Sequence, residues 1–294
     1  MMNRREMLQS TAAAAGLLLP LSSASLASTP KKCRLLYFTR TVGREHVVIR
    51  SEGGAPSYSD RALTAMCSRA GYELECSKDG RIFDGDLDQF DGFIFFTNGD
   101  LTLPNEQDTP PMSERGKERF LSAVAEGKGF VGVHGSSGSW RTAEPKQNEA
   151  PIVDPYIAML GGEFLAHGKI QYATLSVTSP KFPGMNGLRS PLRLEEEWYA
   201  LKNLSRDMHI ILMLNTEGMN GTCYRRPNYP VAWARKQNRG RVFYTALGHA
   251  QDTWDSKVFE QMLMGGVAWA IGDVAFEPVM NFEQLTPNGN VLQG

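Results

Sequence analysis

Apolar positions along this chain come in short solid runs, each followed by a stretch with helical spacing. Residues 34–39, Arg-Leu-Leu-Tyr-Phe-Thr, make the first run, with the length and content of a strand covered on both faces. After a loop containing Gly and Ser, the spacing predicts a helix over 57–70 that Gly71 stops. Strands follow at 72–77 and 91–97, the second continuously apolar and therefore central. A Pro-rich loop from Pro104 to Pro111 leads to a helix over 113–126 opened by Ser113, and 129–133 is a fourth strand. Strand–helix–strand units of this length, one after another, predict a parallel sheet with helices on both faces.

The second half is richer in strand signals. Residues 170–178 alternate, 209–214 are apolar, and 231–235 follow Pro230. Asn238-Arg239-Gly240 is a turn that joins the last of these to 241–247 as a hairpin. A final helix over 256–271 carries Val258, Met262, Val267 and Trp269 on its apolar stripe, and little periodicity remains after Gly272. With no internal repeat and no separating linker, the expectation is one α/β domain with a β-rich elaboration.

The N-terminus adds a compartment. Asn3-Arg4-Arg5-Glu6-Met7-Leu8 carries a twin arginine, an apolar stretch runs from Ala12 to Leu21, and small residues surround Ser25-Leu26-Ala27. That stretch is well short of the roughly 20 residues needed to cross a bilayer. Residues 1–27 therefore read as a twin-arginine-type export signal, with a retained anchor as the other reading. Export implies a periplasmic or secreted protein with no stable membrane span. Four cysteines, Cys33, Cys67, Cys76 and Cys223, would then meet an oxidising space, and none forms a C-x-x-C pair. A local Cys67–Cys76 disulfide and buried free thiols both stay open.

Composition excludes classes more than it selects them. The 294 residues are 41% hydrophobic and 21% charged with a net charge of −1, which excludes bulk disorder and an overall basic field for nucleic acid. The stretch 225–241 is locally basic through Arg225, Arg226, Arg235, Lys236, Arg239 and Arg241, and is expected to be a solvated hairpin and strand rim. An enzyme or a binding domain remains.

Ligands of an open parallel sheet bind beyond the carboxyl ends of its strands. The polar residues there are Arg40, Thr41, Arg44, Glu45 and His46, then Asn98 and Asp100, then His134 to Gly138 with Trp140, and finally His249 with Asp252 and Trp254. Gly132-Val133-His134-Gly135-Ser136 has the form of a nucleophile elbow, but its tip is His134 and not Ser or Cys. Acyl-enzyme chemistry would need Ser136 or Ser137 as a displaced nucleophile. A histidine there suits a general base or a metal ligand, and equally a purely structural hydrogen bond. Glu163 and His167 are four apart and would share a face if that segment is helical. Glu195-Glu196-Glu197 stands beside Trp198-Tyr199; such a run is usually solvated, yet carboxylates beside aromatics also suit a sugar. His209 opens an apolar strand and reads as structural. No H-E-x-x-H, Walker or G-x-G-x-x-G motif occurs.

Several of these segments together resemble the ThuA (trehalose utilisation) family. They are Gly127-Lys128-Gly129-Phe130-Val131-Gly132-Val133-His134, Leu160-Gly161-Gly162-Glu163-Phe164 with His167, Glu196-Glu197-Trp198-Tyr199, Pro230-Val231-Ala232-Trp233, and Gly240 through His249, closed by Gly265-Gly266-Val267-Ala268-Trp269-Ala270. The resemblance covers roughly 33–272, leaving 273–294 as a C-terminal tail. It implies a flavodoxin-like, class I glutamine amidotransferase-like three-layer α/β sandwich without the amidotransferase cysteine or activity. His46, His134, His167, Glu197 and His249 match the family's recurrent polar positions, although Arg44-Glu45 stands where the family more often has an aromatic before that histidine.

The resemblance implies a carbohydrate-active protein whose partner is a small sugar ligand, such as a 3-keto-disaccharide or related oxidised glycoside. In that expectation His134, Glu197 and His249 are catalytic, while His46, Asp100, Trp140, Trp198 and Tyr199 contact the sugar. A divalent metal (Zn, Mn or Fe) would be held by His134, His167 and His249, as imidazole ligation allows. Histidine and glutamate acid–base chemistry without a metal, and sugar binding without catalysis, are the alternatives.

Overall fold

The computed structural model describes residues 33–142 and 153–292. The expected export signal lies outside the described residues. Arg34–Phe38 is β1, and Ser57 caps helix α1, Tyr58–Ala70, through a reciprocal capping box with Asp60. Gly71 ends α1 at φ 82°, the left-handed conformation that glycine adopts without strain. β2 (Glu73–Ser77), β3 (Gly92–Phe95), α2 (Glu114–Ala125, capped by Ser113) and β4 (Gly129–Val133) follow. Next come α3 (Pro155–Leu160), β5 (Glu163–His167), β6 (Gln171–Val177), β7 (Leu192–Glu196), β8 (Tyr199–Lys202) and β9 (His209–Asn215). β10 (Tyr229–Gln237), β11 (Gly240–Thr245), α4 (Gln251–Asp255), α5 (Lys257–Ile271) and α6 (Phe282–Leu285) complete the order.

Nine strands form one sheet in the order β2-β1-β3-β4-β11-β10-β9-β6-β7. Pairing is parallel from β2 through β11 and antiparallel from β11 to β7. The expected α/β architecture with a β-rich elaboration is what forms. The first four strands follow the 2-1-3-4 order of doubly wound sheets, which place ligands at the switch between β1 and β3. α1, α4 and α5 pack together as one helical layer, and α2 with α3 as another. β3 and β4 are buried along their whole length, and Phe95 stacks on Phe120 of α2 with centroids 4.7 Å apart. A separate two-stranded sheet pairs β5 with β8 in antiparallel register, bringing His167 opposite Tyr199.

Three expectations need correction. Residues 163–167 are a strand, not a helical turn, because the glycines before them end α3 at Gly161 and β8 supplies a pairing partner. Within the basic stretch, Arg226 and Arg235 are buried, not solvated. Arg226 donates to the carbonyls of Leu201 and Gly289 and lies over the Tyr229 ring; Arg235 donates to Ala158 and Met159 and pairs with Asp207. Finally, the segment after Gly272 packs closely on the sheet: Phe282 is buried, Asn281 accepts from Ile210 N–H, and Asn290 binds both backbone groups of Leu204. No disulfide joins any two of the four cysteines, and burial pushes Cys67 up to about 12. Among the described residues no helix is long and apolar enough to cross a membrane.

Candidate functional site

Each parallel strand that matters ends in a loop that brings one histidine to the same edge. After β1 the chain reaches His46, which caps a short 3-10 turn over Val47–Ile49. Directly after β4, His134 takes φ 40°, a left-handed conformation uncommon for any residue but glycine. Tyr244 donates a hydrogen bond to the His134 carbonyl and so fixes the elbow from the neighbouring strand β11. After β11, Gly248 (φ 127°) lets the chain pass the elbow, since a Cβ there would lie 2.9 Å from Val133 Cγ1. His249 follows.

The three rings form a near-equilateral triangle. Centroids are 5.0 Å apart for His46 and His134, 5.4 Å for His46 and His249, and 5.3 Å for His134 and His249. The antiparallel half closes the triangle with Glu197, which follows β7, and Tyr199, which opens β8. Glu197 Oε2 lies 3.1 Å from His249 Nδ1 and 3.6 Å from His134 Nε2, and its Oε1 lies 3.2 Å from His167 Nδ1. Tyr199 bonds His46 Nε2 through its hydroxyl at 3.1 Å and packs its ring on His134 at 4.0 Å.

Protonation follows from the partners. The Ala246 carbonyl, 2.7 Å from His134 Nδ1, can only accept, so Nδ1 carries a proton, and the other ring nitrogen, Nε2, faces Glu197. Burial, reinforced by His134 and His249, pushes His46 down to about 2, so this imidazole is neutral. Burial alone would raise Glu197, but contact with His134 and His249 outweighs it and holds the carboxyl well below its usual range. Burial and the adjacent Glu197 charge raise the Tyr199 phenol well above its usual value.

The donor set has the chemistry of a divalent-cation site. Ligand atoms of His46, His134, Glu197 and His249 all lie within 4.8 Å of one another. His46 Nδ1, His134 Nε2 and His249 Nδ1 are buried and make no hydrogen bond of good geometry; the last two face Glu197 Oε2, whereas His46 Nδ1 faces no such group, which is costly unless something else engages it. His134 Nδ1–H on a backbone carbonyl is also the usual outer support of a metal-ligating imidazole. These residues therefore fit zinc, manganese or iron. The expected trio of His134, His167 and His249 is not the group that converges. His167 stands at the rim with its Nδ1 toward the Gly168 carbonyl, and His46 with Glu197 completes the set in its place.

A cleft of about 530 Å³ opens over His46 and His249, with Arg44, Arg50, Glu106 and Gln107 on its walls. Asp100 and Trp140 are not part of it; they line a second cleft with Arg141, Thr142 and Asp154. Trp198 is fully buried and donates its indole N–H to Gln171, so its faces are core and not a sugar platform. Ser136 and Ser137 are buried too, and the Ser137 hydroxyl is taken up by Tyr244 and the His134 carbonyl.

One participant was missed by sequence reasoning. Glu196 is 1% exposed and reaches the His249 turn, whereas its neighbour Glu195 is exposed. The signal was present: in Leu192-Arg193-Leu194-Glu195-Glu196, strand alternation puts Glu196 on the inward side with the two leucines.

The family model described as trehalose utilisation (ThuA) matches residues 36–270. A solved ThuA-like protein from Parabacteroides merdae is similar with a TM-score of 0.60 and 16% identity, over 85% of this chain and 93% of its own. Another, from Bacteroides uniformis, has a TM-score of 0.60 and 15% identity over 83% and 94%. No curated protein matches the chain.

Proposed function

The chain belongs to the ThuA family, and from that premise we propose that it is an exported enzyme that cleaves or isomerises an oxidised sugar, such as a 3-keto-disaccharide, at a divalent-cation site. The observation that carries the reading is the convergence of His46, His134, Glu197 and His249, from four distant segments, with three ring nitrogens buried without a hydrogen bond of good geometry. These four side chains would hold the cation. A bound cation supplies Lewis-acid polarisation of a ligand oxygen.

The protein's own groups then have separable tasks. A 3-keto group acidifies the adjacent C2–H bond. A positioned base takes that proton, the electron pair forms the C1–C2 double bond, and the glycosidic C1–O bond breaks as the leaving oxygen gains a proton. His167 is the candidate to move the proton: it is partly exposed, and its Nδ1 is directed to Gly168 and Glu197, which leaves Nε2 for the ligand. Arg44, Arg50, Glu106 and Gln107 offer donors and acceptors to sugar hydroxyls along the cleft. The absence of Ser or Cys at the elbow suits a path with no covalent enzyme intermediate.

Metal content of the purified protein, with turnover of a 3-keto-disaccharide before and after EDTA, tests this. The expected result is one bound transition ion and activity that EDTA removes and added ion restores. Activity indifferent to EDTA would leave acid–base chemistry by the same histidines. Sugar binding without turnover would make it a binding protein. Export is tested with Arg4→Lys and Arg5→Lys together, which should hold the precursor in the cytoplasm; normal export would overturn that part.

A further inference from the structure

We propose that Glu196 is a positioning residue that fixes the backbone of both Glu197 and His249, and thereby the geometry of the histidine cluster. Its Oε1 accepts from the Glu197 N–H at 2.8 Å. Its Oε2 accepts from Gly248 N–H at 2.9 Å, His249 N–H at 3.3 Å and the Thr253 hydroxyl at 2.9 Å. One carboxylate thus ties the end of β7 to the β11–α4 turn, the two segments that must meet for His249 Nδ1 to lie 3.1 Å from Glu197 Oε2.

The choice of a charged residue here needs a reason. Glu196 is almost fully buried, and among the described residues no lysine or arginine pairs with it. Burying a carboxylate is costly unless several donors converge on it. Four do, and hydrogen bonds to a charged acceptor are about twice as strong as neutral ones. Glu163 makes an instructive contrast: it is equally buried and holds Thr142 and Asn203, but Lys202 balances it at 3.4 Å, away from the cluster. Glu163 braces a turn, whereas Glu196 aligns two cluster members.

Glu196→Gln keeps the shape but leaves one acceptor oxygen, so whichever way the amide turns, its NH₂ faces backbone N–H groups. Glu163→Gln is the control for lost stability alone. The cation arm rests on the reading proposed above and uses Zn²⁺ alone, titrated into metal-stripped protein, with the visible spectrum of the Co²⁺ form as a second signature. Glu196→Gln should weaken Zn²⁺ binding about 10- to 100-fold, the usual scale for losing an outer support, and alter the Co²⁺ bands. Glu163→Gln should lower Tm with both unchanged. Wild-type affinity and spectrum in Glu196→Gln would overturn the proposal, however far its Tm falls.

A second readout is independent of any metal. In ¹⁵N-histidine-labelled apo protein, the His249 ring signals, assigned by their loss in His249→Gln, should shift or broaden in Glu196→Gln and not in Glu163→Gln. If wild type binds no Zn²⁺, the cation reading falls and these signals alone decide the role of Glu196; unmoved signals overturn it. Should Glu196→Gln not fold, Thr253→Val removes one of the four donors at little change in shape. It should perturb the same signals to a smaller extent, and no change there would equally overturn the proposal.

Discussion

The two halves of the large sheet contribute to the site in different ways. The parallel half, β2 through β11, ends in loops that each deliver a single residue, namely His46, His134 and His249. The antiparallel half delivers a contiguous strip, Glu196 to Tyr199, where its edge strand β7 ends and the chain passes into β8 of the separate two-stranded sheet. In the first case the fold sets the location, because carboxyl ends of parallel strands share one edge. In the second, strand alternation and one bend decide which of several adjacent polar residues points in. The candidate chemistry lies on the seam, where imidazoles from one half meet a carboxylate from the other.

If that division is right, the elbow histidine is the position where substitution costs most. His134→Asn is the informative change, because asparagine tolerates a left-handed backbone better than alanine does. Turnover should fall by at least about a hundredfold, the scale for losing a general base or a ligand to the reacting centre. Tm should move little. Steady-state kinetics on a 3-keto-disaccharide beside a melting curve makes the check, and undiminished turnover would remove the parallel half from the chemistry.

The next effect concerns pH. His46 folds as a neutral imidazole pushed down to about 2, while in the unfolded chain it titrates near 6.5. Its share of stability is therefore fully present above pH 6.5 and drains away as the unfolded chain takes up the proton below that. At pH 5 the loss is about 2 kcal/mol, from 1.36 kcal/mol per pH unit. Urea midpoints of metal-stripped protein at pH 7.5 and pH 5.0 avoid the range in which Glu197 titrates. His46→Asn should lose about 2 kcal/mol less than wild type across that interval. Equal losses would mean that His46 is not held neutral by its surroundings.

The parallel half was also the legible half. Its strands are solid apolar runs, and Ser57, Gly71 and Ser113 mark helix ends by local hydrogen bonding that sequence alone displays. The histidines after β1, β4 and β11 fall at one edge on the strand pattern alone. The antiparallel half was harder because its cues are not local. Beside that half, β5 pairs, among the described residues, with β8 alone, so 163–167 looked helical by spacing while its strand partner lay far along the chain. Arg226 and Arg235 carry charge that locally argues for solvent, yet their partners are carbonyls of Leu201, Gly289, Ala158 and Met159. Likewise, the choice of His46 over His167 for the converging group depends on where the loop after β1 and the β5–β8 pairing bring each ring, a tertiary fact.

Tyr199→Phe tests the seam more gently. The hydroxyl bonds His46, while the ring packs on His134 and on Phe164. Removing only the hydroxyl should cost about 1 kcal/mol of stability, the net worth of one hydrogen bond. A loss several times larger would show that His46 depends on the β5–β8 sheet for its orientation. Chemical denaturation resolves a difference of this size.

The smallest effect is expected one residue from the largest claims made for the antiparallel half. Glu195, Glu196 and Glu197 are chemically identical and consecutive, yet β7 turns Glu195 outward, Glu196 into the sheet edge, and the bend after the strand carries Glu197 to the histidines. Glu195 is exposed, and among the described residues no ion pair or hydrogen bond holds its carboxylate. Glu195→Gln should therefore change stability by less than about 0.5 kcal/mol, as surface substitutions do. Zn²⁺ affinity and turnover should stay at wild-type values. Because the substitution removes the same charge from the same string as Glu196→Gln, any general electrostatic effect of a carboxylate near the cluster would appear in both. A several-fold loss of Zn²⁺ affinity in Glu195→Gln would mean that net negative charge matters, and not the inward placement of particular side chains. Silence at 195 with a loss at 196 would tie the site to strand register, since a slip of one residue in β7 would exchange the two.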